Sequence, residues 1–290
     1  MYPVDDLHIL PLNAGLGVQH GDWNWEKVRS PFSRLYLVTE GYAEVELPDG
    51  IQPLTPGHMY FIPAFTTHRY ICHSLFTHYY LHIYEYCDAG ISVLDRWHLP
   101  TEIEATELAL PLFQCLCSSN PLLRLVQSDP MSYDNQQTLL RNIQQSLHAP
   151  VNTQVESRGI LLLLLSHFFA KAEPVHDIRD TRVLKALDFF SKNIGGKIDA
   201  ERLAAAACLS RDLFAKIFRR EMGMTPSAYI IMKKMERAEL LLVTTDMSVR
   251  DIALRLGYDD HSYFIRLFCK TVGRTPLQYR LANSRRAPRR

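Results

Sequence analysis

The sequence predicts an α+β protein of two domains, an N-terminal β-barrel with accessory helices and an all-helical C-terminal domain. Short runs rich in β-branched and aromatic residues crowd residues 32–86, and helical periodicity takes over from about Thr101. Acidic and basic residues also divide unequally between the two halves.

The strand-like runs are residues 35–38, 42–47, 59–62 and 76–84, and Glu40-Gly41, Pro48-Asp49-Gly50, Pro56-Gly57 and Pro63 separate them. Strands this closely spaced imply a barrel or sandwich. Within residues 101–172 the clearest helices are 136–148 and 154–170, with Pro121, Pro130 and Pro150 as breakers. Residues 173–180 are polar, contain Pro174 and sit where the charge balance flips, so they read as a linker. The expected domains are therefore a barrel over 1–100, a helical segment over 101–172, and a helical domain over 181–290.

At 290 residues, 47% apolar and 22% charged, the chain suits two ordinary globular cores and excludes a disordered or fibrous protein. Its longest apolar stretch, 160–170, is interrupted by Ser166 and His167, far short of the roughly 20 residues a membrane span needs. Asp5 and Asp6 in an N-terminus without a basic start argue against a secretory leader. Cys72, Cys87, Cys115, Cys117, Cys208 and Cys269 form no CxxC pair, so reduced thiols in a cytoplasm are expected. Cys115 and Cys117, two apart in a helix, do not face each other, which favours an apolar role over redox chemistry.

The net charge of +1 conceals an asymmetry. Residues 181–290 hold 22 Lys and Arg against 11 Asp and Glu, an excess of +11, and the rest of the chain carries −10. A basic module of this kind points to a polyanion, with nucleic acid foremost. The same region contains an internal repeat. Gly223-Met224-Thr225-Pro226-Ser227-Ala228-Tyr229 recurs fifty positions later as Gly273-Arg274-Thr275-Pro276-Leu277-Gln278-Tyr279. Phe214-Ala215-Lys216-Ile217-Phe218 matches Phe264-Ile265-Arg266-Leu267-Phe268 at the same offset, whereas Leu203-Ala204 matches Ile252-Ala253 at 49. One extra residue therefore lies in the turn of the second copy.

In the first copy Asp199 caps a short helix, Cys208-Leu209 turns the chain, and Ser210 caps a second helix that stops at Gly223. In the second, Ser248 and Asp251 make a capping-box-like start, Gly257 turns, Asp260 caps and Gly273 stops. Thr225-Pro226 and Thr275-Pro276 each place a Thr cap before a Pro at the first helical position. Phe214, Ile217 and Phe218 form one core stripe, as do Phe264, Leu267 and Phe268. Opposite them lie Arg211, Asp212, Ala215, Lys216 and Arg219 in one helix, and His261, Ser262, Ile265 and Arg266 in the other. These donors, acceptors and small apolar groups suit base edges in a major groove; the plainer alternative is a solvated helix face.

Taken with ERAELLL (236–242), these motifs resemble the DNA-binding domain of the AraC family of transcription regulators over residues 181–282. The resemblance implies two helix-turn-helix units joined by a long helix, about 225–243, with both recognition helices on one side of the duplex. The N-terminal third resembles the family's cupin-like sensor barrel, through LYLVTEG (35–41), LTPGHMYFIP (54–63) and His68. Metal-binding cupins carry an HxH cluster on an early strand, where this sequence reads FSRLYLV (32–38), so neither a metal nor enzymatic activity is expected.

His78, Tyr80, His82 and Tyr84 alternate along one strand and share a face. If that face is the barrel interior, they suit a small polar effector such as a carbohydrate, with Tyr36, His68 and Tyr70 joining from neighbouring strands. Otherwise they meet solvent, a dimer partner or a satisfied core. The effector-binding set is Tyr36, His68, Tyr70, Tyr80 and His82, and Trp23, Trp25 and Trp97 are either stacking platforms or core. Helices 136–148 and 154–170 are the dimerisation elements the resemblance implies, and Arg285, Arg286, Arg289 and Arg290 form a basic tail for phosphates or solvent. The expected function is a cytoplasmic, homodimeric activator that binds promoter DNA, a small effector and RNA polymerase, without a cofactor. The alternatives are a ligand-independent regulator with a barrel that only dimerises, and a cupin-type enzyme with a DNA-binding tail.

Overall fold

The computed structural model describes residues 7–86, 92–175, 178 and 180–284. Cys87, the linker residues His176, Asp177 and Arg179, and the tail arginines 285, 286, 289 and 290 lie outside the described residues. The described chain forms two compact units, one from residues 7–86 and 97–173, the other from 92–96 and 174–284. The first is rich in sheet and the second is helical, in keeping with the α+β class.

The strands of the first unit are β1 (Ile9–His20), β2 (Ser33–Gly41), β3 (Ala43–Leu47), β4 (Gly50–Leu54), β5 (His58–Ile62), β6 (Arg69–Ile71), β7 (Leu75–Glu85), β8 (Trp97–His98) and β9 (Glu102–Glu104). They pair into an antiparallel sheet of order β1-β7-β2-β5-β9 and a second of order β4-β3-β6. Tyr36, Val38, Tyr60, Ile62 and Phe76 of the larger sheet pack with Val45, Leu54 and Tyr70 of the smaller in one core. The other face of the larger sheet is covered by helices: α3 (Gln136–Leu147) and α4 (Val151–Phe169) pack on β1, and α1 (Ala109–Ser119) packs on β1, β2 and α4. Burial on both faces explains why β2 reads as a continuous apolar run instead of an alternating one. A single turn, α2 (Pro130–Tyr133), leads into α3, whose cap Asn135 accepts from the Thr138 amide.

Strand β1 is the longest, and sequence reasoning passes over it because ILPLNAGLGVQH places Pro11, Asn13, Gly15 and Gly17 in what should be a strand. Packing requires the glycines. A Cβ on Gly15 would lie 2.4 Å from the Tyr80 hydroxyl oxygen, and one on Gly17 would lie 3.0 Å from the His78 ring. The irregularity near Pro11 is absorbed by a register shift between Pro11 and Asn13.

The helices of the second unit are α5 (Thr181–Asn193), α6 (Ala200–Ala206), α7 (Arg211–Met222), α8 (Pro226–Thr244), α9 (Val249–Arg255), α10 (His261–Val272) and α11 (Pro276–Ser284). Their ends follow the caps. Asp199 accepts from the Arg202 amide, Thr225 from Ala228, Ser248 from Asp251, Asp260 from Ser262 and Tyr263, and Thr275 from Gln278. Gly223 and Gly273 close α7 and α10 in the left-handed conformation, with φ of 70° and 79°. Ser210 departs from expectation: it holds the N-cap position, but its side chain makes no capping hydrogen bond. Leu267 is also only half-buried, so Phe264 and Phe268 carry the core side of α10.

The two turns differ at one aligned position. Cys208 has φ of +56° where Gly257 has +76°. A side chain in this region costs about 1–2 kcal/mol. Cys208→Gly should therefore raise stability by about 1 kcal/mol, read as a later urea midpoint. Phe218→Ala, at a side chain with 0% exposure, should cost about 3–5 kcal/mol and lower the melting temperature of the helical unit.

Candidate nucleic-acid interface and ligand pocket

The repeat becomes a pair of matching hairpins, α6–α7 and α9–α10, each followed by a Thr-Pro helix. In the first, Phe214 packs on Phe218 with ring centroids 5.3 Å apart, and Phe218 on Tyr229 at 5.6 Å. In the second, Phe264 packs on Phe268 at 6.0 Å, and Phe268 on Tyr279 at 5.7 Å. These ladders fix which side of α7 and α10 faces outward. Arg211, Asp212, Lys216 and Arg219 are exposed on α7 with Ala215 half-buried among them; on α10, His261, Ser262 and Arg266 are exposed with Ile265 half-buried. Tyr263 is also open at 46% exposure in the first turn of α10, and sequence reasoning left it out because its aromatic ring reads as core. The carboxylate of Asp260, held below the usual range chiefly by the Tyr263 amide, caps the helix as an anion.

In the sheet unit a cavity of about 450 Å³ opens beside β1 and β7. Its wall includes Trp23, Trp25, Tyr36, His78, Tyr80, His82 and Tyr133, with Asp22, Arg124 and residues 125–129 along one side. Tyr36, Tyr80 and His82 thus line it as expected, and His78 joins them from the same strand face. His68 and Tyr70 stand behind. The His68 Nδ1–H donates to the Thr66 carbonyl at 2.9 Å, which leaves Nε2 to accept from the Tyr70 hydroxyl at 2.9 Å. The Tyr70 oxygen then accepts from the Tyr36 hydroxyl at 2.5 Å. His68 and Tyr70 therefore orient a wall residue. Tyr84 is buried but off the wall, and Trp97 packs on Phe169 instead.

Two wall atoms are buried without a hydrogen-bond partner, Trp25 Nε1 and His78 Nδ1. Unpartnered polar atoms are costly in a dry core but serviceable on the wall of a binding cavity. Behind Tyr133, the buried Arg34 guanidinium donates to Ser30 and lies 3.3 Å from Asp134. Sequence reasoning missed this pair because its members stand one hundred positions apart. Among the described residues no group of three His, Cys, Asp or Glu is placed to hold a metal ion, and no helix is long and apolar enough to cross a membrane.

Comparison with known proteins bears on the helical unit. A family described as "Helix-turn-helix domain" matches residues 203–282. The Arabinose operon regulatory protein of Escherichia coli is 31% identical over 119 residues, which is 41% of this chain and 41% of that protein. The Xylose operon regulatory protein of the same organism is 32% identical over 107 residues, 37% of this chain and 27% of that protein. A solved structure, the C-terminal domain of AraT, a response regulator from Geobacillus stearothermophilus, is 28% identical, covers 36% of this chain and 87% of its own, and has a TM-score of 0.35. The chain spans less than half the length of the curated relatives it matches. The paired hairpins and the aligned sequence define a double helix-turn-helix domain. Over that domain the chain is similar to the arabinose and xylose operon regulatory proteins.

The cavity wall has a pH signature. Burial pulls His78 down to about 3; burial and the Arg34 charge do the same for His68, to about 3, and lower His82 well below the ordinary histidine range. Unfolded, each takes a proton near pH 6.5, so stability is whole above that pH and falls as pH drops toward 3. Asp134 acts in the opposite sense: burial lifts it to about 6 against the pull of Arg34, which returns part of the loss between pH 6 and 4. Urea melts at pH 7.5 and 5.0 should show a lower midpoint at 5.0. His78→Phe should flatten the dependence by about 1.4 kcal/mol per pH unit, and an unchanged slope would refute the neutral histidine.

Proposed function

We propose that the protein is a sequence-specific transcription activator that reads promoter DNA with α7 and α10 and takes a small polar effector in the cavity of the sheet unit. The observation that carries this reading is the pair of hairpins with equivalent buried aromatic ladders and chemically different exposed faces. On α7 the readers are Arg211, Asp212, Ala215, Lys216 and Arg219; on α10 they are His261, Ser262, Ile265 and Arg266. A basic excess of +11 over residues 181–290 supplies the attraction to phosphate. The effector class is carbohydrate, supported by aromatic walls beside hydroxyl and imidazole groups and by relatives named for arabinose and xylose operons. Tyr36, Tyr80 and His82 touch the effector, and His68 and Tyr70 hold Tyr36 in its donor orientation.

The protein acts in the cytoplasm as a homodimer through α3 and α4; Val151, Val155 and Leu163 stand exposed on α4 and fit this role. Effector binding shifts the population of the DNA-competent state, and RNA polymerase is the partner of the bound activator. No cofactor is required.

The full chain should select a preferred duplex from a randomised pool, with affinity falling steeply as salt rises, by about 0.9 log units per log salt for each phosphate contact. Arg266→Ala should relax preference at one base pair, a loss of about 1–3 kcal/mol in discrimination. A salt slope near zero, or no enriched sequence, would refute the reading. A panel of monosaccharides should contain one that raises the melting temperature of the wild type and has less effect on Tyr36→Phe.

A further inference from the structure

Two recognition helices on one chain act together only if their relative phase is fixed, and a lone connecting helix fixes it poorly. Helix α8 has 19 residues, about 28 Å at 1.5 Å per residue, and a small bend or twist over that length moves one reader out of its groove. Lys234 sits near its midpoint and is 3% exposed. Its Nζ donates to the Gly196 carbonyl at 2.8 Å, in the loop between α5 and α6, and to the Leu256 carbonyl at 2.7 Å, at the end of α9. The same ammonium lies 5.2 Å from the centroid of the Tyr258 ring. Burial pulls its pKa down to about 8, so at neutral pH it is mostly charged, and the free amine could donate the same two bonds.

The second hairpin also meets the loop before the first around this ammonium. A Cβ on Gly257 would fall 2.2 Å from the Gly196 oxygen, so the turn of the second hairpin lies against the loop that opens the first. Beside this contact Lys197 and Asp259 form an exposed ion pair at 2.5 Å.

We infer that Lys234 is a positioning residue for DNA recognition, locking the α6–α7 and α9–α10 hairpins into one phase and so setting the spacing between the two DNA segments the protein accepts. This rests on the reading of the helical unit as a two-segment DNA reader. Lys234 touches no DNA in this arrangement; it acts through the carbonyls of Gly196 and Leu256.

The test uses the full chain and the duplex that the wild type enriches from a randomised pool. Affinity is measured on that duplex and on versions with one to five base pairs inserted between the two protected segments. The wild type should lose at least tenfold on half-turn insertion. Lys234→Met should bind the parent duplex at least tenfold more weakly and discriminate less than threefold among spacings, while its preference for bases within each segment is kept. Lys234→Arg should restore the spacing profile. Gly257→Ala, which forces the same contact apart without touching Lys234, should reproduce the methionine phenotype. If Lys234→Met keeps the wild-type spacing profile, the inference is overturned. If it fails to fold, Gly257→Ala decides, and a wild-type profile there overturns it equally. Wild-type enrichment of a single segment would also defeat it. No enriched duplex at all would defeat the DNA-reading proposal itself, a different failure.

Discussion

A twelve-residue helix cannot bury two phenylalanines by itself, and this constraint organises the helical unit. Phe214 and Phe218 on α7, and Phe264 and Phe268 on α10, are each fully enclosed, and each pair is worth several kcal/mol of apolar burial only if other elements cover it. The cover comes from the short helix before the turn and from the Tyr of the following Thr-Pro helix, Tyr229 or Tyr279. Once the phenylalanines point inward, helical geometry turns Arg211, Lys216 and Arg219, or His261 and Arg266, outward. The exposed polar face is therefore a by-product of the core face.

The sheet unit uses the opposite arrangement, with its polar groups inside. Neutral imidazoles and tyrosine hydroxyls can stand there only because burial suppresses their ionisation and most find partners, as in the run from Thr66 through His68 and Tyr70 to Tyr36. The direction of that run is set at its backbone end. The Thr66 carbonyl fixes the His68 tautomer, and the tautomer fixes both hydroxyl protons. Trp23, itself on the cavity wall, stacks on Tyr70 at 3.9 Å, and the run reaches the cavity at Tyr36.

Legibility in the sequence followed locality. Caps, helix stops and the amphipathic faces of α7 and α10 depend on residues three or four apart, and they could be read directly. So could the shared face of His78, Tyr80 and His82, since alternation along one strand needs no partner. What escaped depends on distant approaches. Strand β1 carries Gly15 and Gly17 because Tyr80 and His78 occupy the space a side chain would fill. Arg34 meets Asp134 only after the sheet and α2 are assembled. His68 and Tyr70 read as wall residues because they lie on a neighbouring strand region, whereas the hydrogen bond that sets Tyr70 behind Tyr36 spans 34 positions.

The places where the repeat fails to repeat are informative for the same reason. If the two hairpins were independent, nothing would require their turns to differ. They differ by a glycine and one added residue. Cys208 tolerates a side chain in the left-handed conformation because that turn faces solvent, whereas Gly257 has the Gly196 carbonyl in the space a Cβ would take. The added residue falls between Tyr258, which aligns with Leu209, and Asp260, which aligns with Ser210; it is Asp259, the partner of Lys197. Both departures from symmetry thus lie where the second turn meets the loop before the first hairpin. The two copies differ at that contact, and the aromatic ladders that shape each copy are alike.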